Sequence, residues 1–469
     1  MRREVTESCG LFGVYGVKDA ARMTYYGLYA LQHRGEEAAG IVSTDGKMLK
    51  SHRGIGLVTD VFDRARLVSL ANRVAIGHVR YGTAGATDLR NAQPLVVDYS
   101  RGQIAVAHNG TLIEAEAIRD EFEAHGSIFH TTTDTELIVH MLAKPSSVMT
   151  GEEGIKQTMA RLKGAFSLLM LTPEQMIAVR DRHGFRPLAL GRVGEKGWAL
   201  ASETCAFDLV KARYVRDVRP GEIVFIDRRG LRSESFVPKE QCRPHHCIFE
   251  IIYFARPDSR VFGDCVHDVR VRLGRRLAQE HPAKADVVIA VPDSGNSAAQ
   301  GFAQESRLPL DRGFIRNHYV GRTFITPQQE DRIEKVEVKL NVVRSAVRRK
   351  RVIVVDDSII RGTTSKSRIR MLRRAGAREI HMRITCPPTR HPCFFGIDFP
   401  TRAELLASER DLRQIRDFLE VDSVGYLSKE GMLDSVSNPP DHYCTACWTG
   451  DYPCPIGNHT GRFRSGRRR

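Results

Sequence analysis

The segment Val352–Ser365, VIVVDDSIIRGTTS, constrains the fold more than any other stretch of the chain. Four consecutive apolar residues run into two adjacent acids, and a Gly-Thr-Thr-Ser turn then opens a helical pattern from about Ser365 to Ala375, with Gly376 in the C′ position. An uninterrupted apolar run of this length marks a strand covered on both faces, as in a parallel sheet flanked by helices. Asp286–Val291 repeats the design, leading into Pro-Asp-Ser-Gly, while Ile380, Met382 and Ile384 alternate with His381, Arg383 and Thr385 as a half-buried strand would. From about residue 247 onward the pattern therefore predicts a mostly parallel, doubly wound α/β sheet. Its ligands would bind beyond the carboxyl ends of the strands, where both polar loops fall.

The loop chemistry points to an anion. Backbone N–H groups at a helix start, assisted by Gly362 and the hydroxyls of Thr363, Thr364 and Ser365, suit a phosphate dianion. Asp356 and Asp357 cannot serve that phosphate; paired carboxylates beside it would hold ribose hydroxyls or a Mg²⁺ ion, or else simply cap the strand and helix.

The first half has a different texture. Short strand-like runs (Cys9–Val17, Val74–Val79, Ile104–His108, Phe166–Leu171, Met176–Arg180, Leu188–Leu190, Glu222–Ile226) alternate with helical patterns at Arg22–His33 and Asp134–Leu142. This predicts an α+β domain of layered sheets. The Arg-, Glu-, Pro- and His-rich stretch Arg229–His246 reads as the linker.

Composition excludes several classes. The chain of 469 residues is 42% hydrophobic and 27% charged, globular proportions that rule out a mainly disordered protein. No apolar run approaches the roughly 18 residues a membrane span needs, and the polar leader MRREVTES lacks a secretory signal, so a cytoplasmic location is expected. The 71 basic and 56 acidic residues leave +15, which raises nucleic-acid binding, but the excess concentrates in the terminal GRFRSGRRR and at Arg348–Arg351. The first reads as a solvated tail and the second as a strand entrance or anionic site. Ten cysteines in a chain of this size favour metal-binding, catalytic or simply buried roles over disulfides.

The Val352–Ser365 segment resembles the phosphoribosyl-pyrophosphate (PRPP) loop of type I phosphoribosyltransferases. From Cys9 to about Pro455 the chain resembles the glutamine PRPP amidotransferases, through CGLFGVYG, LQHRGEEAAGI, IGHVRYGTAG, HNGTL, TTTDTE, RDRHGFRPLALG, CIFEIIYFARPDS, VPDSGNSAA, VVDDSIIRGTTS, PCFFGIDFPTRAELLA and YCTACWTGDYP, all in family order. That resemblance implies a propeptide at 1–8 and an N-terminal-nucleophile glutaminase domain of four αββα layers at 9–235. A type I phosphoribosyltransferase domain would follow at 247–430 and a cysteine-containing segment with a basic tail at 431–469.

It also implies roles. Alone, Cys9 reads as a buried small hydrophobe or as a nucleophile; in the family the leader is removed and the freed α-amine, titrating near pH 8, is its base. Asn109 and Gly110 would form the oxyanion hole, and Arg80, Asp134, Arg34 and Gly35 would bind glutamine; on spacing alone Arg80 is a surface arginine and Asp134 a helix N-cap. PRPP would contact Asp356, Asp357, Ser358, Arg361, Gly362, Thr363, Thr364 and Ser365, with Arg322 and Lys339 on a lid formed by 321–341. Ser294, Asp356 and Asp357 would hold Mg²⁺. Cys247, Cys393, Cys444 and Cys447 would hold a [4Fe–4S] cluster, with zinc as the alternative. The implied activity displaces pyrophosphate from PRPP with ammonia drawn from glutamine, the first committed step of purine synthesis. Purine nucleotides are the implied inhibitors, a homotetramer the implied assembly, and neither membrane nor nucleic acid an expected partner. The sequence departs from the family pattern at Glu36, Thr111 and Asn296-Ser297. A basic zinc-dependent nucleic-acid-binding module and an inactive regulatory homologue are the competing readings.

Overall fold

The computed structural model describes residues 9–81, 88–143, 151–317, 340–397, 399 and 401–456. Two antiparallel sheets form the first domain. One has seven strands in the order Arg213–Asp217, Ala189–Val193, Gly197–Ala201, Gly10–Tyr15, Val74–Arg80, Ala38–Thr44 and Leu49–Ile55; the other has six, from Gly230–Ser235 through Glu222–Asp227, Met176–Arg180, Gly164–Leu171 and Gly102–Leu112 to Leu95–Tyr99. Leu11, Ile76, Leu169, Ala178 and Leu200 fill the space between them. The helices Ala20–Ala30 and Cys205–Val210 pack on the outside of the first sheet, through Leu28 and Phe207. Thr135–Ala143 and Gly151–Arg161 cover the second, through Ile138, Leu142 and Met159. Each sheet thus buries one face on its partner and the other on helices, which gives the four αββα layers.

The second domain is built on a four-stranded parallel sheet ordered Val287–Ala290, Arg351–Asp356, Glu379–Ile384, Ser423–Tyr426. Val352–Val355 are fully buried, as their continuous apolar run requires. The strand Glu379–Ile384 departs from its expected half-buried pattern. Arg383, on the face predicted to be polar and open, is 4% exposed and donates from Nε to the His281 carbonyl at 2.7 Å. The sheet is therefore covered on both sides. The predicted linker is also shorter than its composition suggested, because Gly230–Ser235 pairs antiparallel with Glu222–Asp227 as an edge strand of the first domain. Its charge reflects a solvated sheet edge.

Candidate active site

Cys9 immediately precedes the strand Gly10–Tyr15, and Gly10 lies opposite Val79 in the neighbouring strand. Cys9 and Arg80 consequently stand at adjoining strand ends. His78 Nε2 lies 3.1 Å from the His108 carbonyl oxygen, tying this end of the first sheet to the Gly102–Leu112 strand of the second, which carries Asn109 and Gly110. Gly110 has φ +145°, and a Cβ there would stand 2.0 Å from the Ala165 carbonyl oxygen, so only glycine fits. Among the described residues, the buried Asn109 Nδ2 and Arg80 Nη1 have no hydrogen-bond partner. Buried donors left in this condition are costly unless a ligand meets them. Arg80 Nη1 has Glu37 Oε2 at 3.7 Å.

Asp134 sits at the start of the Thr135–Ala143 helix, and its carbonyl accepts from Leu137 N–H, as an N-cap's does. Its side chain reaches across to the second sheet: Oδ2 accepts from Leu112 N–H at 2.8 Å, and Oδ1 is 3.3 Å from His108 Nδ1. Burial alone would raise its pKa, but the His108 interaction and the backbone N–H bonds more than offset this and hold the carboxyl below its usual value. Asp134 is thus a fixed negative charge beside the Asn109–Gly110 strand.

In the second domain, both predicted loops meet at the carboxyl edge of the sheet. Ser294 Oγ donates to Asp357 Oδ1 at 2.5 Å, and Ser358 Oγ to Asp357 Oδ2 at 2.5 Å. Asp356 accepts from Arg368 Nη1 at 3.3 Å, and burial together with the Asp357 charge pushes its pKa well up. Gly362 has φ +78° and precedes the twelve-residue helix Thr363–Arg374, whose first N–H groups face back toward this loop. Arg361 donates from Nε to Glu404 Oε2 at 2.9 Å, and its buried Nη1 is without a partner among the described residues. Ser297, one of the departures from the family pattern, is buried with its Oγ 2.9 Å from His267 Nδ1. Arg322 and Lys339, and the lid that was to carry them apart from its last two residues, lie outside the described residues.

The four cysteines predicted as ligands converge from three segments. Cys247 and Cys444 are direct partners in a short parallel bridge, Phe395 N–H donates to Cys393 Sγ at 3.3 Å, and the Cys447 carbonyl accepts from Arg390 and His391. Burial raises the thiol pKa values of Cys247, Cys444 and Cys447, Cys247 to about 12, and the neighbouring cysteines raise each further. Among the described residues, no three His, Cys, Asp or Glu side chains gather as tightly as a single metal ion requires. The donor chemistry, four thiols with no carboxylate or imidazole among them, fits an iron–sulfur cluster.

A family model described as a glutamine amidotransferase domain matches residues 80–208. The chain is 46% identical over 461 residues to the amidophosphoribosyltransferase of Bacillus subtilis, covering 97% of this chain and 96% of that one. The chain belongs to the amidophosphoribosyltransferase family. Two solved structures superpose along nearly its whole length at 46% identity. One, described as the allosteric regulatory enzyme of purine biosynthesis, has a TM-score of 0.91 and covers 96% of this chain and 97% of its own. The other, the Bacillus subtilis glutamine PRPP amidotransferase complexed with ADP and GMP, has a TM-score of 0.90 and covers 96% and 98%.

Arg34, expected to bind glutamine, lies beside Cys9, and its side chain is fully buried, with each of its three nitrogens donating within the protein. Nη1 pairs with Glu203 Oε1 at 2.5 Å, Nη2 with Glu250 Oε1 at 2.8 Å, and Nε donates to the Cys9 carbonyl at 3.1 Å. Burial alone would lower its pKa, but the two carboxylates hold it above the ordinary arginine value. Gly35 lies so close to the next strand that a Cβ would stand 2.5 Å from the Arg80 carbonyl carbon. The pair therefore seats the Cys9 strand against Arg80. Sequence reasoning missed Arg368, Arg186 and Glu250. Only Glu250 left a signal, a lone acid inside the apolar run CIFEIIYFA, which has to find a buried partner.

Proposed function

We propose that this chain is a glutamine-dependent amidophosphoribosyltransferase that converts PRPP, glutamine and water into 5-phospho-β-D-ribosylamine, glutamate and pyrophosphate, the first step of purine biosynthesis. The observation that carries the reading is the full-length relationship at 46% identity; Cys9 directly before one strand and the Asp357–Gly362 loop directly after another support it.

In the glutaminase half, removal of residues 1–8 frees the Cys9 α-amine, which takes the thiol proton. The thiolate attacks the side-chain amide of glutamine, and the Asn109 Nδ2, without a partner among the described residues, and the Gly110 N–H receive the oxyanion. Collapse expels ammonia and leaves a γ-glutamyl thioester, which water hydrolyses. Arg80 takes the glutamine α-carboxylate and Asp134 its α-ammonium, so a free amino acid is selected over a peptide-bound glutamine.

In the transferase half, the N–H groups and hydroxyls from Gly362 to Ser365 take the 5-phosphate, and Arg361 adds its charge. Asp356 and Asp357 orient the ribose hydroxyls. Asp356, Asp357 and Ser294 would also hold Mg²⁺, which supplies counter-charge for pyrophosphate when bound. Arg322 and Lys339 would contact the phosphates, and exclusion of water from between the two sites would keep the ammonia unprotonated. Cys247, Cys393, Cys444 and Cys447 would hold a [4Fe–4S] cluster in a structural role. Feedback by purine nucleotides, a homotetramer and a cytoplasmic location complete the proposal; the nucleotide complex of the Bacillus subtilis relative supports the first. Among the described residues no helix is long and apolar enough to cross a membrane.

The test is stoichiometry. With glutamine, PRPP and Mg²⁺ supplied, glutamate and pyrophosphate should appear in equal amounts. Pyrophosphate without glutamate, or glutamate release indifferent to PRPP, would count against the reading.

A further inference from the structure

A buried set of charges joins the two domains, and its centre is a carboxylate that no substrate needs. Glu250 is fully buried and begins the five-residue π-helix Glu250–Phe254, three residues after Cys247. Its Oε1 accepts from Arg34 Nη2 and from Arg186 Nη1, each at 2.8 Å, and both arginine side chains are themselves fully buried. Its Oε2 has no partner among the described residues.

Each arginine carries the contact onward into the glutaminase centre. Arg34 Nε donates to the carbonyl of Cys9. Arg186 Nε donates to the Phe395 carbonyl at 3.1 Å, and the next residue, Gly396, is packed so closely that a Cβ there would stand 3.1 Å from the Cα of Gly110. One carboxylate thus fixes both the backbone of the nucleophile and the turn behind the oxyanion glycine. The far end of the π-helix is held from the transferase domain. Arg270, on the helix Val266–Glu280, donates to the carbonyls of Ile251, Tyr253 and Ala255 at 2.8–2.9 Å.

Stability does not explain this arrangement. Burying a carboxylate and two guanidiniums is expensive, and apolar side chains of like volume commonly replace such a set without loss. Single-turn π segments occur frequently at functional sites.

We propose that Glu250 is a positioning residue for the glutaminase: it holds Arg34 and Arg186, and through them Cys9 and Gly110, in the arrangement that attack on glutamine requires. The inference rests on the glutaminase reading above. It implies that the transferase domain sets the geometry of the nucleophile through a charged contact as well as through packing.

The test compares wild type, Glu250→Gln and Glu250→Asp in two assays on the full chain: pyrophosphate release driven by ammonium chloride, and glutamate release from glutamine with PRPP. Glu250→Gln keeps the shape and removes the charge. Its glutamine-dependent kcat should fall about 10–100-fold, the effect of displacing reacting groups by roughly 1 Å, while its ammonia-driven rate holds. KM for glutamine should change far less than kcat, because Glu250 does not touch glutamine. Glu250→Asp, which restores the charge, should recover part of the loss. A smaller fall in the glutamine rate, a proportional loss of both activities, or no recovery in Glu250→Asp overturns the proposal. If Glu250→Gln does not accumulate as folded protein, Arg34→Lys takes its place. That variant keeps the positive charge but lacks the Nε–H that bonds Cys9, and the same split between the two activities decides. Absence of glutamate release from the wild type overturns the glutaminase reading and this inference with it.

Discussion

Asp134→Asn tests the charge proposed to select free glutamine. In the wild type, Oδ2 accepts from Leu112 N–H at 2.8 Å and Oδ1 faces His108 Nδ1 at 3.3 Å. An asparagine amide oxygen keeps the Leu112 bond and the side-chain volume, so the Gly102–Leu112 strand with Asn109 and Gly110 stays in place. What disappears is the negative charge offered to the substrate α-ammonium. A hydrogen bond to a charged group contributes about 1.5–3 kcal/mol, which at about 1.4 kcal/mol per decade predicts a fall of roughly 10–150-fold in kcat/KM for glutamine. The α-ammonium contact is made equally in the ground state and the transition state, so the loss belongs in KM with kcat nearly unchanged. Because the carboxyl is held below its usual value, the group stays ionised through neutral pH and the effect should not vary with pH above about 5. The assay is steady-state glutamate release at saturating PRPP, with the ammonia-driven rate as control. An unchanged KM, or an equal fall in the ammonia-driven rate, would refute the assignment of Asp134 to the α-ammonium.

Two further predictions follow from buried groups. His78 is buried with its pKa lowered to about 3, chiefly by burial, against about 6.5 in an unfolded chain. The folded value is the depressed one, so stability is fully present above pH ~6.5 and declines as pH falls toward 3, by about 1.4 kcal/mol per unit; the urea midpoint should therefore depend less steeply on pH between about 6 and 5 in His78→Gln, and an identical slope would contradict this. Cys444→Ser should lose the iron that anaerobically purified wild type is predicted to carry, about four atoms per chain, along with its thiolate-to-iron visible absorption. A colourless wild type containing zinc would replace the cluster with the alternative metal.

How much of this was legible in the sequence follows from what each residue depends on. Asp356 and Asp357 were legible because an apolar strand, an acid pair and a glycine-led helix start are consecutive in the chain, and all three functions are local. The strand Met176–Arg180 and the helix at Asp134 follow from periodicity in the same way. The buried ion pairs of Arg34 were not legible, because its partners, Glu203 and Glu250, lie 169 and 216 residues away and no local pattern marks a guanidinium turned inward. The positive charge was similarly misleading. Arg34, Arg180, Arg186, Arg270 and Arg383 are all buried, and Arg180 donates to the carbonyl oxygens of Arg186, Val218 and Gly184, so part of the excess is structural and never meets solvent. The edge strand Gly230–Ser235 was hidden because its exposed residues carry the composition of a linker.

Two separate chemistries share this one chain, and Cys9 is needed for only one of them. The direct measurement is Cys9→Ala assayed with glutamine and, separately, with ammonium chloride, each with PRPP and Mg²⁺. Glutamate release should vanish while ammonia-driven pyrophosphate release persists near the wild-type rate. Glutamate release that survives the substitution would contradict it.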